Sequence, residues 1–185
     1  MEQNSQIEIL EAQIRECYGR AVWTHKTQEK CADLLLKKQD RIKFWQIILS
    51  AITTSGIMVS VFGDSKTIGI ISVIISLILT IINAYVKNYD LGGLAQKHSV
   101  AAASIWNIRE NYLSLLTDIK SNSLSIDEIK TTRDQLQADL HKIYKGAPRT
   151  IDKAYNAASN ALKNMEEMTF NDEEINKLLP AALRK

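Results

Sequence analysis

The sequence predicts an all-α protein in which a two-helix transmembrane hairpin is continuous with a cytosolic antiparallel helical bundle. Two runs, residues 44–62 and 67–86, contain no charged side chain, although the chain around them is strongly charged. As helices they would be about 28 Å and 30 Å long, which matches a hydrocarbon core of about 30 Å. We therefore predict three parts: an N-terminal cytosolic helix over 1–43, the hairpin over 44–86, and a C-terminal cytosolic helical region over 87–185.

The second run is apolar on every face, which distinguishes a membrane span from an ordinary core helix. Isoleucine, leucine and valine fill most positions of residues 70–82, whereas a buried helix of a soluble protein is usually apolar along one stripe. The alternative is a hairpin buried inside a soluble bundle. The surrounding sequence is too polar to cover both runs, which disfavours that alternative.

The residues that flank the two runs predict the orientation of the hairpin. The turn Gly63-Asp64-Ser65-Lys66 is short and requires antiparallel neighbours, so both termini lie on one side of the membrane. Basic residues concentrate on that side: Lys37, Lys38, Arg41, Lys43 and Lys87. Such residues stay in the cytoplasm, and Trp45 and Tyr85 would anchor the same inner interface. Residues 1–4 are polar and do not resemble a signal peptide, so the first run would act as its own insertion signal.

Polar side chains inside the two runs are the candidate functional residues. In the second run they are spaced 4, 4 and 3 residues apart, on one helical face: Ser72, Ser76, Thr80 and Asn83. In the first run they cluster more loosely: Ser50, Thr53 and Thr54. They could pack the helices closely through small hydroxyl side chains, or line a weakly polar pore in an oligomer. The sequence favours packing, although the two interpretations are compatible. No charged ring is present, so a strongly ion-selective filter is not predicted.

Capping patterns and periodicity predict helices on both sides of the hairpin. Ser5 and Ser125 each begin a capping box, with Glu8 and Glu128 three residues later. No proline precedes Pro148, so the first helix could run from Ser5 into the membrane, and a break near residues 23–30 is the alternative. Gly92-Gly93 could interrupt the helix that leaves the membrane. A coiled-coil-like stripe follows: Ile105, Ile108, Tyr112, Leu115 and Ile119.

The motifs and composition do not indicate an enzyme or a cofactor. The three histidines have no metal-ligand spacing with Cys, Asp or Glu, and the chain has neither a phosphate-binding glycine loop nor a GxSxG elbow. The net charge of +2, without a basic run interleaved with aromatics, argues against nucleic acid as a partner. We interpret Cys17 and Cys31 as reduced, packed thiols of a mostly cytosolic chain.

Several short motifs, taken in their order along the chain, resemble a known family. Before the hairpin stands Ala21-Val22-Trp23-Thr24-His25-Lys26; after it come His98, Ala101-Ala102, Trp106, Arg109 and Tyr112, then Arg133-Asp134, Tyr144, Pro148-Arg149-Thr150 and Ala154-Tyr155. With the tight hairpin and its basic, aromatic start, this order resembles the SLATT family. These are two-transmembrane effector domains associated with prokaryotic nucleotide-signalling and defence systems. The resemblance covers most of the chain, roughly residues 8–165.

The resemblance implies a pore-forming effector of a prokaryotic anti-phage or nucleotide-signalled defence system. Such an effector breaches the bacterial inner membrane and causes growth arrest or cell death. It implies a nucleotide second-messenger synthase or another sensor protein as the trigger, and it carries over no catalytic residues. Because two helices cannot enclose a channel, we expect a homo-oligomer in the lipid bilayer. The alternative is a membrane-anchored scaffold whose helical region recruits a partner protein.

Overall fold

The computed structural model describes residues 2–63 and 65–184, with side chains from residue 5 onward, and shows helices and no strand in those residues. α1 spans Glu2–Phe62, α2 Lys66–Asn88, α3 Leu91–Lys120, α4 Ile126–Gly146, α5 Asp152–Lys163 and α6 Asp172–Leu178, and a short 3-10 helix covers Ala181–Leu183. The all-α prediction is confirmed. Asp64 of the predicted turn lies outside the described residues.

α1 is a single helix that runs through the whole first apolar run. Its 61 residues extend over about 90 Å at a rise of about 1.5 Å per residue, so there is no break at residues 23–30. The helix ends at Phe62, where the first run ends. It begins at Glu2, so Ser5 lies inside the helix and the predicted cap at Ser5 is wrong. No helix-breaking residue stands between Glu2 and Ser5 to stop the helix from extending.

The junction between α2 and α3 lies at Tyr89 and Asp90, before the paired glycines rather than at them. Both residues are non-helical, and the Asp90 carboxylate accepts a hydrogen bond from the Gly93 amide at 2.8 Å. A Cβ atom on Gly93 would collide with that carboxylate, and one on Gly92 would lie 3.0 Å from the Gln39 amide nitrogen. The glycines therefore permit the tight cap and the close passage of α1, while the Asp90 cap starts the new helix.

Outside the apolar runs, α3 packs antiparallel to α1 and α4 runs parallel to it. The Ser125 capping box is present at the start of α4, as predicted. α4 and α1 pack in a constant register, since three side-chain hydrogen bonds between them each join residues 120 positions apart. They join Arg133 to Gln13, Gln137 to Cys17, and Tyr144 to Thr24. α5 adds buried alanines that face α1: Ala154, Ala158 and Ala161.

The core of this bundle contains the predicted stripe of α3. Ile105 and Tyr112 are fully buried, and the other three members of the stripe are at most 4% exposed. They pack with Leu10 and Ile14 of α1 and with Ile129 of α4. The stripe is therefore internal to one protomer. Any self-association of the chain must use surfaces other than this stripe.

Candidate functional site

The two apolar runs form a pair of neighbouring antiparallel helices, which we call the apolar helix pair: residues 44–62 of α1 and Lys66–Asn88 of α2. Both helices are long and apolar enough to cross a membrane. Their outward faces carry large exposed side chains, such as Ile70 at 63% and Leu77 at 62% exposure. No described residue covers these faces. Such a surface is stable only against an apolar environment or another apolar surface.

Small residues line the contact between the two helices. A Cβ atom on Gly56 would collide with the Ser72 hydroxyl, and one on Gly69 would collide with the Ser60 hydroxyl. Ser72 is 3% exposed and donates to the Ile68 carbonyl at 2.9 Å. Each glycine therefore admits a serine of the other helix, which is the small-residue packing expected between membrane helices.

Four of the seven predicted polar positions lie at the contact between the two apolar helices, which we call the seam. Thr53 and Ser72 are buried and Ser76 is half-buried. Asn83 is exposed, but its Oδ1 accepts a hydrogen bond from Gln46 Nε2 at 2.6 Å. This Gln46–Asn83 pair closes the seam at the end near the bundle. Gln46 is not among the predicted residues, although an amide inside an apolar run and seven residues before Thr53 marks the same helical face.

The other three positions point away from the seam and stay exposed. They are Ser50, Thr54 and Thr80. Thr54 donates to the Ser50 carbonyl at 2.9 Å, and Thr80 donates to the Ser76 carbonyl at 2.9 Å. Each threonine hydroxyl is thus satisfied within its own helix, which allows it to lie in an apolar environment at low cost. They are exposed hydroxyl residues of the apolar helix pair, as are Ser55 and Thr67.

The end of the pair next to the bundle carries the predicted interface anchors and basic residues. Trp45 is 52% and Tyr85 is 36% exposed. Lys38 Nζ donates to the Tyr85 hydroxyl at 2.9 Å and lies 5.3 Å from the ring centroid. The remaining predicted basic residues are exposed: Lys37, Arg41, Lys43 and Lys87. None of these five cations forms an ion pair with a described residue.

A polar cleft lies between α1 and α3, further from the apolar helix pair. His25 Nδ1 donates to the Ala102 carbonyl at 3.0 Å, and His98 Nδ1 donates to Gln28 Oε1 at 2.5 Å. Gln28 Nε2 in turn donates to the Pro148 carbonyl at 3.3 Å, beyond the end of α4. These buried bonds tie α1, α3 and the α4–α5 connection together at one level. Each removed partner would leave a buried polar group unsatisfied, which typically costs about 1–3 kcal/mol.

Glu167 holds a strap, residues 164–170, across one side of the cleft. Its carboxylate lies 2.7 Å from Lys26 Nζ and 3.2 Å from Lys30 Nζ. The hydrogen bond from Lys26 keeps the pKa of Glu167 below its usual value. Burial lowers the pKa of Lys26, but the bonds to Glu167 and Glu29 outweigh it and leave that pKa raised. The ion pairs of Glu167 with Lys26 and Lys30 offset backbone strain in the strap, where Glu166 and Met168 have φ of 50° and 76°.

Residues of separate sequence motifs meet in this cleft. A cavity of about 730 Å³ is lined by His25 and Lys26 of α1, and by Ala102, Trp106 and Arg109 of α3. Arg109 lies 5.7 Å from the Trp106 ring centroid and pairs with Glu110. From the sequence these residues are recognisable only as parts of separate motifs, because their convergence depends on how α1 and α3 pair.

Burial of His98 predicts a pH-dependent stability. Burial lowers the pKa of His98 below its usual value of 6.5, so the unfolded chain binds a proton more readily than the folded chain. Stability should therefore fall as the pH drops below about 6.5. We expect the Tm of the detergent-solubilised protein to fall between pH 7.5 and pH 5.5, and to fall less for His98→Gln. Glu167 does not contribute in this window, since its usual pKa is 4.5. Equal pH dependence in both proteins would contradict the assignment.

A comparison with protein families classifies the chain. The model of the SMODS and SLOG-associating 2TM effector domain family 4 matches residues 10–174. The chain belongs to this family. As a SLATT domain with two helices long and apolar enough to span a bilayer, it is a membrane protein. No curated protein and no solved structure matches the chain.

Proposed function

We propose that this SLATT domain is an oligomeric, pore-forming effector of a prokaryotic anti-phage or nucleotide-signalled defence system, which causes growth arrest or cell death. The single observation that carries the proposal is the apolar helix pair, whose outward faces no described residue covers. The family description, a two-transmembrane effector domain, supports the same role. We assign the chain no catalytic step, and place its activity in the membrane.

In this proposal the apolar helix pair spans the bacterial inner membrane as a hairpin, and both termini lie in the cytoplasm. The five unpaired cations at one end support this orientation, because basic residues are retained on the cytoplasmic side. Trp45 and Tyr85 lie at the same end, where amphipathic rings prefer the interface. The helical bundle then forms the cytosolic part.

Self-association is needed because two helices cannot surround a water-filled channel. The Ile105 stripe is buried within the protomer, so the protomers would meet through the outward faces of the apolar helix pair. Ser50, Thr54 and Thr80 are among the polar residues exposed on those faces. We propose that they line the lumen, while Thr53, Ser72, Ser76 and Asn83 hold the two helices of one protomer together.

A trigger from outside the chain would control this assembly, and we propose a nucleotide second-messenger synthase or another sensor protein as its source. α1 contains both the cleft residues His25 and Lys26 and the seam residue Gly56, without a break. A partner or ligand that displaces α1 at the cleft would therefore also displace the seam. This continuity gives the cytosolic part a direct mechanical connection to the membrane part.

Replacing the exposed hydroxyls tests the pore. Induced expression of the wild type with its trigger is expected to depolarise the bacterial membrane. Thr54→Leu and Thr80→Leu should slow depolarisation severalfold, because a leucine makes the lumen narrower and apolar. Ile70→Leu, on an exposed apolar position of the same pair, should behave as the wild type. An intact membrane potential at high wild-type expression, with the trigger present, would exclude pore formation.

Recruitment by the helical region is a second candidate function, favoured by aromatic side chains at the cleft. Trp106 is 47% and Phe170 is 65% exposed, and both line the cavity. Exposed aromatics of this kind are common at protein interfaces. Exchanging residues 44–88 for an unrelated two-span anchor separates the candidates, because a scaffold keeps its function and a pore loses it.

A further inference from the structure

A groove on the surface of the apolar helix pair has the properties of a lipid site. Its volume is about 420 Å³, and its walls come from Ile42, Trp45 and Leu49 of α1 and from Ile81, Ile82 and Tyr85 of α2. The wall surface that faces the groove is apolar. The volume lies within the range of small-molecule sites, about 300–1,000 Å³. An acyl chain is the apolar ligand that a bilayer supplies to such a groove.

Two cations that form no ion pair with a described residue stand at one end of the groove. Arg41 lines it, and Lys38 lies one turn earlier on α1 against Tyr85. Neither forms an ion pair with a described residue, whereas cations elsewhere do: Lys26 and Lys30 pair with Glu167, and Arg133 with Asp134. Arg41 and Lys38 are therefore free of carboxylate partners among the described residues, at the point where the apolar groove ends.

The charge pattern favours a lipid over a second copy of the chain as the occupant. Residues 41–63 and 65–89, the stretch that a second copy would insert, contain no Asp or Glu. Within that stretch, a second apolar helix pair offers Arg41 no carboxylate. A phospholipid offers an acyl chain and, at the level of the interface, a phosphate. Basic pockets between membrane helices bind anionic head groups in this way.

We propose that this groove binds an anionic phospholipid, whose phosphate contacts Arg41 and Lys38 and whose acyl chain lies along Trp45, Leu49 and Ile82. The inference rests on the placement of the apolar helix pair in the bilayer, and not on pore formation. It assigns Arg41 a role in lipid selection beyond its contribution to orientation. It also makes the lipid composition of the membrane a determinant of how tightly this end of the pair is held.

Native mass spectrometry of the full-length protein in detergent tests the site directly. Phosphatidylglycerol and phosphatidylcholine of equal chain length are titrated separately, and the bound fraction is measured. The wild type should retain phosphatidylglycerol more strongly. Arg41→Gln should weaken phosphatidylglycerol binding about fivefold, the value for a loss of about 1 kcal/mol per cation near the head groups. Lys66→Gln, which removes one cation at the opposite end of α2, should leave it unchanged.

A second variant tests the groove itself. Leu49→Trp fills it and should reduce binding of both lipids, whereas Arg41→Gln should remove only the preference between them. Equal losses in Arg41→Gln and Lys66→Gln would show a diffuse charge effect and overturn the proposal. Equal retention of the two lipids by the wild type would overturn it as well. Dimers that exclude lipid from the wild type but not from Leu49→Trp would identify a second copy as the occupant. Because no conductance is measured, these outcomes are independent of whether the protein forms a pore.

Discussion

Gly56→Leu is expected to separate the two apolar helices and abolish membrane depolarisation. Even a Cβ atom at this position would collide with the Ser72 hydroxyl, and a leucine adds three more carbon atoms to the same contact. Overpacking of this kind costs about 1–3 kcal/mol, and more when the backbone must move. The measurement is the Tm of the purified protein in detergent, together with membrane potential after induced expression.

Gly19→Leu is the matched control for this prediction. Gly19 lies on the same helix, is exposed, and has no atom within 4 Å of the position that a Cβ would take. The substitution should stabilise α1 by roughly 0.5–1 kcal/mol, because glycine is a poor helix former. If Gly19→Leu and Gly56→Leu had the same effect, the loss would come from the substitution in general and not from the seam.

A compensating pair of substitutions isolates the contact itself. Gly56→Ala alone should lower the Tm, because its methyl group meets the Ser72 hydroxyl. Combining it with Ser72→Gly moves the small residue to the other helix and should recover most of the loss. A double-mutant cycle then gives a favourable coupling between the two positions. Additive effects would show that Gly56 and Ser72 are not in contact.

Ile105→Ala is expected to destabilise the helical bundle strongly. Ile105 is fully buried among side chains of α1, α3 and α4, so truncation leaves a cavity where the three helices meet. Such substitutions cost about 2–5 kcal/mol, and each kcal/mol lowers the Tm by about 2–4 °C for a chain of this size. Thermal unfolding in detergent, followed by circular dichroism, measures the change.

Val100→Ala provides the comparison on the same helix. Val100 is 55% exposed, and surface substitutions of this kind usually change stability by less than about 0.5 kcal/mol. A small effect of Ile105→Ala, similar to that of Val100→Ala, would mean that α3 does not pack its stripe within the protomer. The stripe would then be available for self-association, contrary to the structure.

Much of the helical organisation follows from local sequence. The uncharged runs predicted two apolar helices, and the structure has α1 ending at Phe62 and α2 spanning Lys66–Asn88. The Ser125 capping box was predicted correctly because it depends only on residues within one turn. The predicted cap at Ser5 is wrong since a capping pattern is also compatible with a helix interior. The prediction from Gly92-Gly93 placed the α2–α3 junction a few residues too late. The junction precedes the glycines, because the Asp90 carboxylate accepts the Gly93 amide and starts α3 before them.

For the candidate site, less could be predicted from local sequence than for the helices. Sequence spacing placed Ser72, Ser76, Thr80 and Asn83 on one face of α2, but it does not show which part of that face meets α1. The Gln46–Asn83 bond and the Gly56–Ser72 contact depend on the register of two helices. The same limit applies to the cleft, where His25 and Ala102 are 77 positions apart in the chain.

The sequence by itself determined that the chain is helical, that two helices are apolar on all sides, and that cations gather at one end of them. These properties depend on residue type and on spacing within a few turns. Only the tertiary structure decided that α1 is one unbroken helix with both the cleft and the seam. It also decided that the Ile105 stripe is internal, and that Ser50, Thr54 and Thr80 are left exposed. Those outcomes depend on which helices pair and in what register, and this is set by contacts between residues far apart in the chain.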